Sequence, residues 1–366
     1  MNRTSVRDAL SAGKRTVMYL PGGGITGGLY QLGALTALEE GVEGFRANAL
    51  GGYVAVGSGA VLATALAGGL ETPRLYRALL DPSDTFFALE RRHLLVVDVG
   101  EWRRAAFALF GAIRSAIASA RQRPVETAVD PWKELDRLYD VLPAGMFSLE
   151  PFEHFFDAFL DRRGIGSLFR DLPRPLIIPA HDLDTGDLVP FGARGADHHR
   201  IARAVCASMA LPLFFAPVRI GERTFFAGST GNASALELAI DELAAEVVLV
   251  VNPLVPVSAR GAHVPTGHGA GDGVRDKGLL WVYNQAMRIG EQARLRAELG
   301  LLSSRHPGVQ FVVIEPSAVD AVRFMDSPMK YSARRTILEE AFRSVREQVR
   351  SGASIPPPRS ERPSAV

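Results

Sequence analysis

The chain has 366 residues, 47% hydrophobic and 22% charged, with 41 basic against 40 acidic side chains and a formal net charge of +1. That balance excludes the strongly basic footprint of a nucleic-acid-binding protein, and the composition excludes a disordered or fibrous chain. The single cysteine, Cys206, excludes an internal disulfide framework and cysteine-rich metal sites, and a mean hydropathy of +0.08 points toward contact with lipid.

In chain order, residues 1–15 read as an N-terminal extension without the apolar stretch of a secretory leader. Thr16 to Leu20 reads as a buried strand, followed by a Gly-rich turn and a helix from about Leu29 to Glu40. Tyr53 to Val56 reads as a second strand that turns directly into a helix over Ala60 to Ala67. Residues 73–162 read as a mostly helical insertion or cap. Pro175 to Pro179 is a third strand, and Asp184-Thr185-Gly186-Asp187 supplies the turn before a strand at Leu188 to Phe191. A helix over Ile201 to Ala210 ends at Leu211-Pro212. Strands near Val218 and Phe225 flank a turn at Gly221, and a helix runs from Ser234 to Ala244. Strands at Glu246 to Val251 and Val309 to Ile314 complete the set, with closing helices near 279–302 and 332–350. Residues 258–278 read as a mobile Gly-rich loop, and 351–366, with three prolines at 356–358, as a disordered tail. Strands alternating with helices give an α/β fold, with 16–350 as one domain. No run approaches the ~20 apolar residues of a spanning helix, so the expectation is a cytoplasmic protein, with peripheral membrane contact left open.

The turn Leu20-Pro21-Gly22-Gly23-Gly24-Ile25-Thr26-Gly27-Gly28 lies between a strand and a helix. Glycines there let the backbone approach an anion, and a helix start offers free N–H donors and a positive dipole end. Two chemistries use such a turn: phosphate cradling and an oxyanion hole. The P-loop version fails for want of its Lys-Ser/Thr pair, and the dinucleotide version is weak because Val56-Gly57-Ser58 stands where an acidic residue would be needed. A tight turn that only packs helix against sheet is the plainer alternative.

PGGGITGGLYQLGALTALEEG, GYVAVGSGAVLATALAGG, PLIIPAHDLDTGDLVPFG, RAVCASMALPLFFAPVRIG and RTFFAGSTGNASALELAIDELAAEVVLVVNP, in that order, resemble the core segments of the bacterial patatin-like phospholipase family. SPMKYSARR is similar to the close of one bacterial subgroup, so the resemblance spans roughly 16–335. It implies a three-layer α/β/α domain with a largely parallel sheet, and a serine lipid acyl hydrolase working by a Ser–Asp dyad with no cofactor and no metal. The serine of such a family stands in a G-x-S-x-G elbow, lifted clear of the sheet by a strained strand-to-helix turn. The family's Gly-Thr-Ser-Ala-Gly-Ala falls on Ala55 to Ala60, which puts Gly57 at the nucleophile position and Ser58 one place late. The family's Tyr-Val-Asp-Gly-Gly falls on Phe225 to Ser229, which puts Ala227 at the dyad aspartate. Gly22, Gly23 and Gly24 would form the oxyanion hole, and Thr26 stands where the family commonly carries Arg or Lys.

The resemblance therefore implies a retained fold with its two chemical positions vacated: a degenerate member that binds lipid, an acyl chain or a protein partner without hydrolysis. The rival is an active acyl hydrolase that uses Ser58 as a shifted nucleophile, with His181, Asp184 or His198-His199 as imaginable bases. A third reading is an assembly protein whose long C-terminal helices pair with another copy.

The stretch 101–119 carries Trp102, Ala106, Leu109, Ile113 and Ile117 in one stripe, beside Arg103, Arg104 and Arg114. A core-covering helix is the favoured reading of it and an interfacial helix the alternative. Cys206 reads as a buried small hydrophobe. His263 and His268 have no carboxylate support for a metal, Asp272 and Asp276 read as solubilising residues, and Trp281, Tyr283 and Met287 as core or subunit contacts.

Overall fold

The computed structural model describes residues 6–11, 13–81, 83–122, 142–227, 235–258, 264–266, 269–317 and 331–351. Short α1 (Val6–Ser11) precedes β1 (Thr16–Leu20), α2 (Gly24–Gly41), β2 (Gly52–Ala55) and α3 (Ser58–Ala67). Next come α4 (Thr72–Leu80), α5 (Arg91–Leu94), β3 (Val96–Val97), α6 (Val99–Gln122), β4 (Gly145–Ser148) and α7 (Glu150–Arg162). The hairpin β5 (Leu176–Asp182) and β6 (Leu188–Phe191) leads to α8 (Ile201–Met209), β7 (Leu213–Phe215), β8 (Val218–Ile220) and β9 (Arg223–Phe226). The chain ends with α9 (Glu237–Asp241), β10 (Val247–Val251), β11 (Val264–Thr266), β12 (Gly269–Gly271), α10 (Leu279–Arg305), β13 (Gln310–Ile314) and α11 (Tyr331–Arg350).

The central sheet runs in the order β13-β10-β1-β2-β5-β9-β8, with β6 also on β5. β13, β10, β1, β2 and β5 are parallel, and β6, β8 and β9 add antiparallel pairings at one end. Parallel strands buried on both faces require apolar residues at successive positions, and TVMYL and VVLVV supply them. Met18, Leu20, Tyr53, Ala55, Val247 and Leu249 point into one core layer, while Val17, Val54, Val56, Val248 and Val250 point into the other. Helices α2, α3, α8 and α11 cover the first face; α9 and α10 cover the second. The result is a three-layer α/β/α arrangement.

Four differences from the sequence reading have physical causes. Helix α2 starts at Gly24 rather than near Leu29, because Gly27 and Gly28 are packing glycines: an added Cβ would stand 3.1 Å from Pro253 Cγ and 3.6 Å from Ser58 Cβ respectively. The 73–162 segment is not uniformly helical, since β3 and β4 pair there and β4 extends to β7 as a second small sheet; its residues 123–141 lie outside the described ones. Part of 258–278 is an ordered β11–β12 hairpin followed by a helical turn at Val274–Lys277. The expected helix over 234–244 is only Glu237–Asp241, and residue 234 and the 352–366 tail lie outside the described residues.

Candidate active site

Two turns at the C-terminal ends of β1 and β2 meet. At the first, Gly23 has φ 141° and Gly24 φ 65°, conformations that need glycine, and α2 begins at once. The amides of its first turn are the donors that a helix start leaves without an internal partner. At the second, the chain passes from β2 into α3 through Val56 and Gly57, and Gly57 takes φ 57°, ψ −125°. That is the strained strand-to-helix apex, and it is occupied by a residue without a side chain.

The packing around Gly57 fixes which residue is at the apex. A Cβ built on Gly57 would lie 3.6 Å from Gly22 Cα and 3.7 Å from the Ser208 carbonyl oxygen, ordinary contacts that aim it at the Gly-rich turn. Two residues on, a Cβ at Gly59 would strike the backbone and side chain of Leu20, so that position must be glycine. Ser58 faces elsewhere. Its Oγ is buried against Gly28 on α2 and has no hydrogen-bond partner among the described residues.

Ser208, in the last turn of α8, holds the apex. Its Oγ accepts from the Gly57 N–H at 3.1 Å and donates to the Pro179 carbonyl at 2.8 Å. Two residues later the Ala210 carbonyl accepts from the Ala227 N–H at 3.1 Å, so the end of α8 joins the apex to the stretch after β9. Ala227 is buried, and the glycine and serine that follow lie outside the described residues.

Arg288 of α10 supports the other turn. It is buried, it donates to the Pro253 and Val255 carbonyls at 3.1 Å each, and burial pulls its pKa down to about 10. Pro253 in turn sits where a Cβ on Gly23 would fall, at 2.9 Å. A buried guanidinium thus anchors the loop that backs the Gly-rich turn.

The imagined bases do not meet Ser58. His181 is buried in β5 opposite Phe226; its Nδ1 lies 3.3 Å from the Gly186 carbonyl, and its Nε2 has no partner among the described residues. Burial is the main cause that lowers its pKa. Asp184 is exposed and lends only its amide, to Asp182 Oδ1 at 2.9 Å. The buried carboxylate of that turn is Asp182, which pairs with Arg223; that pairing, then the amides of Asp184 and Thr185, hold its pKa below the usual range. His198 and His199 lie with ring centroids 4.2 Å apart in a tilted pair, and His199 packs edge-on to Phe191. Cys206 is buried and its thiol is pushed up by burial. No cluster of three or more His, Cys, Asp or Glu able to hold a metal occurs among the described residues; His263 and His268 lie outside them.

Sequence reasoning named Gly22, Gly23, Gly24, Gly57 and Ser58, and the structure brings Gly22 and Gly57 together while Ser58 faces Gly28. It missed Ser208, Asp182 and Arg288. A lone serine in the otherwise apolar α8 was the available signal for Ser208, while Arg288 sits among polar neighbours on α10 that hide it.

A family model described as "Patatin-like phospholipase" matches residues 19–240, more than half of the chain. No curated protein sequence matches the chain. Among solved structures, VipD from Legionella pneumophila is similar over 93% of this chain and 67% of its own, at 14% identity and a TM-score of 0.38. The type III effector protein ExoU is similar over 93% of this chain and 53% of its own, at 16% identity and a TM-score of 0.37. The chain thus spans about half the length of the ExoU chain.

Proposed function

The chain belongs to the patatin-like phospholipase family, and on that premise we propose that it is a non-hydrolysing member, retaining the fold to engage lipid or an acyl chain, or a protein partner, without cleaving an ester. The observation that carries this reading is the elbow apex: Gly57 at φ 57°, facing Gly22, with Ser58 Oγ turned away onto Gly28. Ester cleavage by a serine hydrolase needs a hydroxyl at the apex to attack the carbonyl carbon and a neighbouring base to take its proton. Glycine offers no hydroxyl, and alanine at 227 accepts no proton. The rival, Ser58 as a shifted nucleophile, would require that hydroxyl to leave a buried position and find a base to which it is not bonded. In this reading the protein works in the cytoplasm in contact with a membrane surface.

The purified chain is incubated with a fluorophosphonate probe and, separately, with phospholipid and p-nitrophenyl acyl esters, beside Ser58→Ala. The expected result is no labelling and no turnover above the Ser58→Ala background. Labelling at Ser58, or turnover that Ser58→Ala abolishes, overturns the proposal. The double variant Gly57→Ser with Ala227→Asp tests the register separately. Because a Cβ at position 57 meets only ordinary contacts, we expect covalent labelling at that position.

A further inference from the structure

The structure opposes the core-covering reading of α6. Val99 is 73% exposed, Phe107 70%, Phe110 67% and Trp102 47%, whereas Ala105 on the opposite side is buried. At helical spacing Val99, Arg103, Phe107, Phe110 and Arg114 fall within roughly an 80° sector, so large apolar side chains and arginines share one solvent-facing surface. Arg104 is tied to Glu101 at 2.8 Å, but Arg103 and Arg114 form no ion pair among the described residues. In sequence, α6 carries four arginines against one glutamate.

The apolar surface continues beyond α6. Trp102 Nε1 donates to the Met146 carbonyl at 3.4 Å, which seats the helix on β4. β4 pairs with β3, where Val96 and Val97 are exposed, and with β7, where Leu213 is exposed. Leu213 is held at φ 72°, a conformation costly for a leucine. It follows by three residues Ala210, whose carbonyl binds the Ala227 amide. The patch is therefore continuous in the chain with the end of α8 that binds the Ala227 amide.

We propose that α6 with the β3–β4–β7 sheet is a docking surface for an anionic phospholipid bilayer, and that it holds the elbow mouth against the membrane. A core-covering helix buries its large apolar residues, and α6 leaves Phe107 and Phe110 in solvent. Arg103 and Arg114 stand beside the exposed phenylalanines, and their long stems let the guanidinium groups reach headgroup phosphates while the rings enter the acyl boundary. The excess of arginine selects an anionic surface over a neutral one. This docking does not depend on whether the elbow hydrolyses anything.

Flotation of the full chain with ether-linked phospholipid vesicles tests the proposal, because those lipids cannot be cleaved and the docking surface and the elbow can then fail separately. Binding is expected to vesicles of phosphatidylcholine with 30 mol% phosphatidylglycerol, to weaken steeply between about 0.1 M and 0.5 M salt, and to be much weaker on phosphatidylcholine alone. Phe107→Ser with Phe110→Ser changes exposed residues only and should lower the partition coefficient at least tenfold. Arg103→Gln with Arg114→Gln should lower binding to the anionic vesicles and flatten the salt dependence. No flotation with anionic vesicles, or flotation that survives the phenylalanine substitutions, overturns the proposal. A concentration-dependent dimer in sedimentation equilibrium that the same substitutions dissolve would overturn it too, assigning the patch to a second copy.

Discussion

Replacing Gly57 by alanine turns the elbow geometry into a stability measurement with a definite sign. The new Cβ would meet Gly22 Cα at 3.6 Å and the Ser208 carbonyl oxygen at 3.7 Å, so it adds no clash. The cost is therefore the backbone's: a residue with a side chain held at φ 57°, ψ −125° is strained by about 1–3 kcal/mol. Loss of glycine's unfolded-state freedom offsets roughly 0.4–1 kcal/mol of that. The net expectation is a destabilisation of about 1–2 kcal/mol, read in urea unfolding as a midpoint lower by roughly 0.3–0.7 M at a slope near 3 kcal/mol/M. Gly290→Ala is the internal contrast. That residue lies inside α10 with open space around it and no positive φ, so alanine there should raise the midpoint by the equivalent of about 0.5–1 kcal/mol. An unchanged or raised midpoint in Gly57→Ala would mean that residue 57 is not the strained apex, and the assignment of the vacated nucleophile position would fall with it.

Two other changes probe the supports of the site. Ser208→Ala removes the acceptor of the Gly57 amide and the donor to Pro179, so a loss of about 1–3 kcal/mol in thermal or urea unfolding is expected; a neutral result would show that the apex holds itself. Glu291 of α10 is pushed up to about 7, chiefly by burial, with Arg294 opposing and Glu298 adding to the shift. A carboxyl raised in the folded state favours folding when protonated. Stability from this group is complete below about pH 4.5 and falls as pH rises to about 7, by up to roughly 3 kcal/mol. Glu291→Gln should leave stability at pH 4.5 unchanged and raise it at pH 8; equal pH profiles for the two proteins would refute the assignment.

The sheet was readable because TVMYL and VVLVV are buried on both faces, a demand that leaves runs no other element explains. The elbow register was readable because Gly59 cannot be anything else beside Leu20. The start of α2 was not readable: Gly27 and Gly28 look like loop residues until Pro253 and Ser58 are seen against them. Ser208 and Arg288 were hidden because their partners, Gly57 and Pro253, are 151 and 35 residues away. The 101–119 stripe favours a core-covering helix on sequence alone. The exposure of Trp102 and Leu109 on that stripe, and of Phe107 and Phe110 beside it, is what speaks against the core, and exposure depends on what the rest of the chain does or does not place over them.

The family match ends at residue 240, yet β10 at 247–251 lies between β1 and β13 in the sheet, and α11 lies along α2. Gly33 sits so close to α11 that an added Cβ would stand 2.7 Å from the Leu338 carbonyl, and Gly41 likewise meets Val349 at 2.9 Å. The helix that carries the Gly-rich turn at its start is thus locked by contacts made roughly 300 residues later. Until β10 leaves the ribosome one edge of β1 stays open, and until α11 follows an apolar face of α2 stays open as well, so the helix that starts at the Gly-rich turn is fixed late. High-contact-order folding of this kind is slow and exposes strand edges, so a fragment cut at the family boundary would aggregate rather than report on the site.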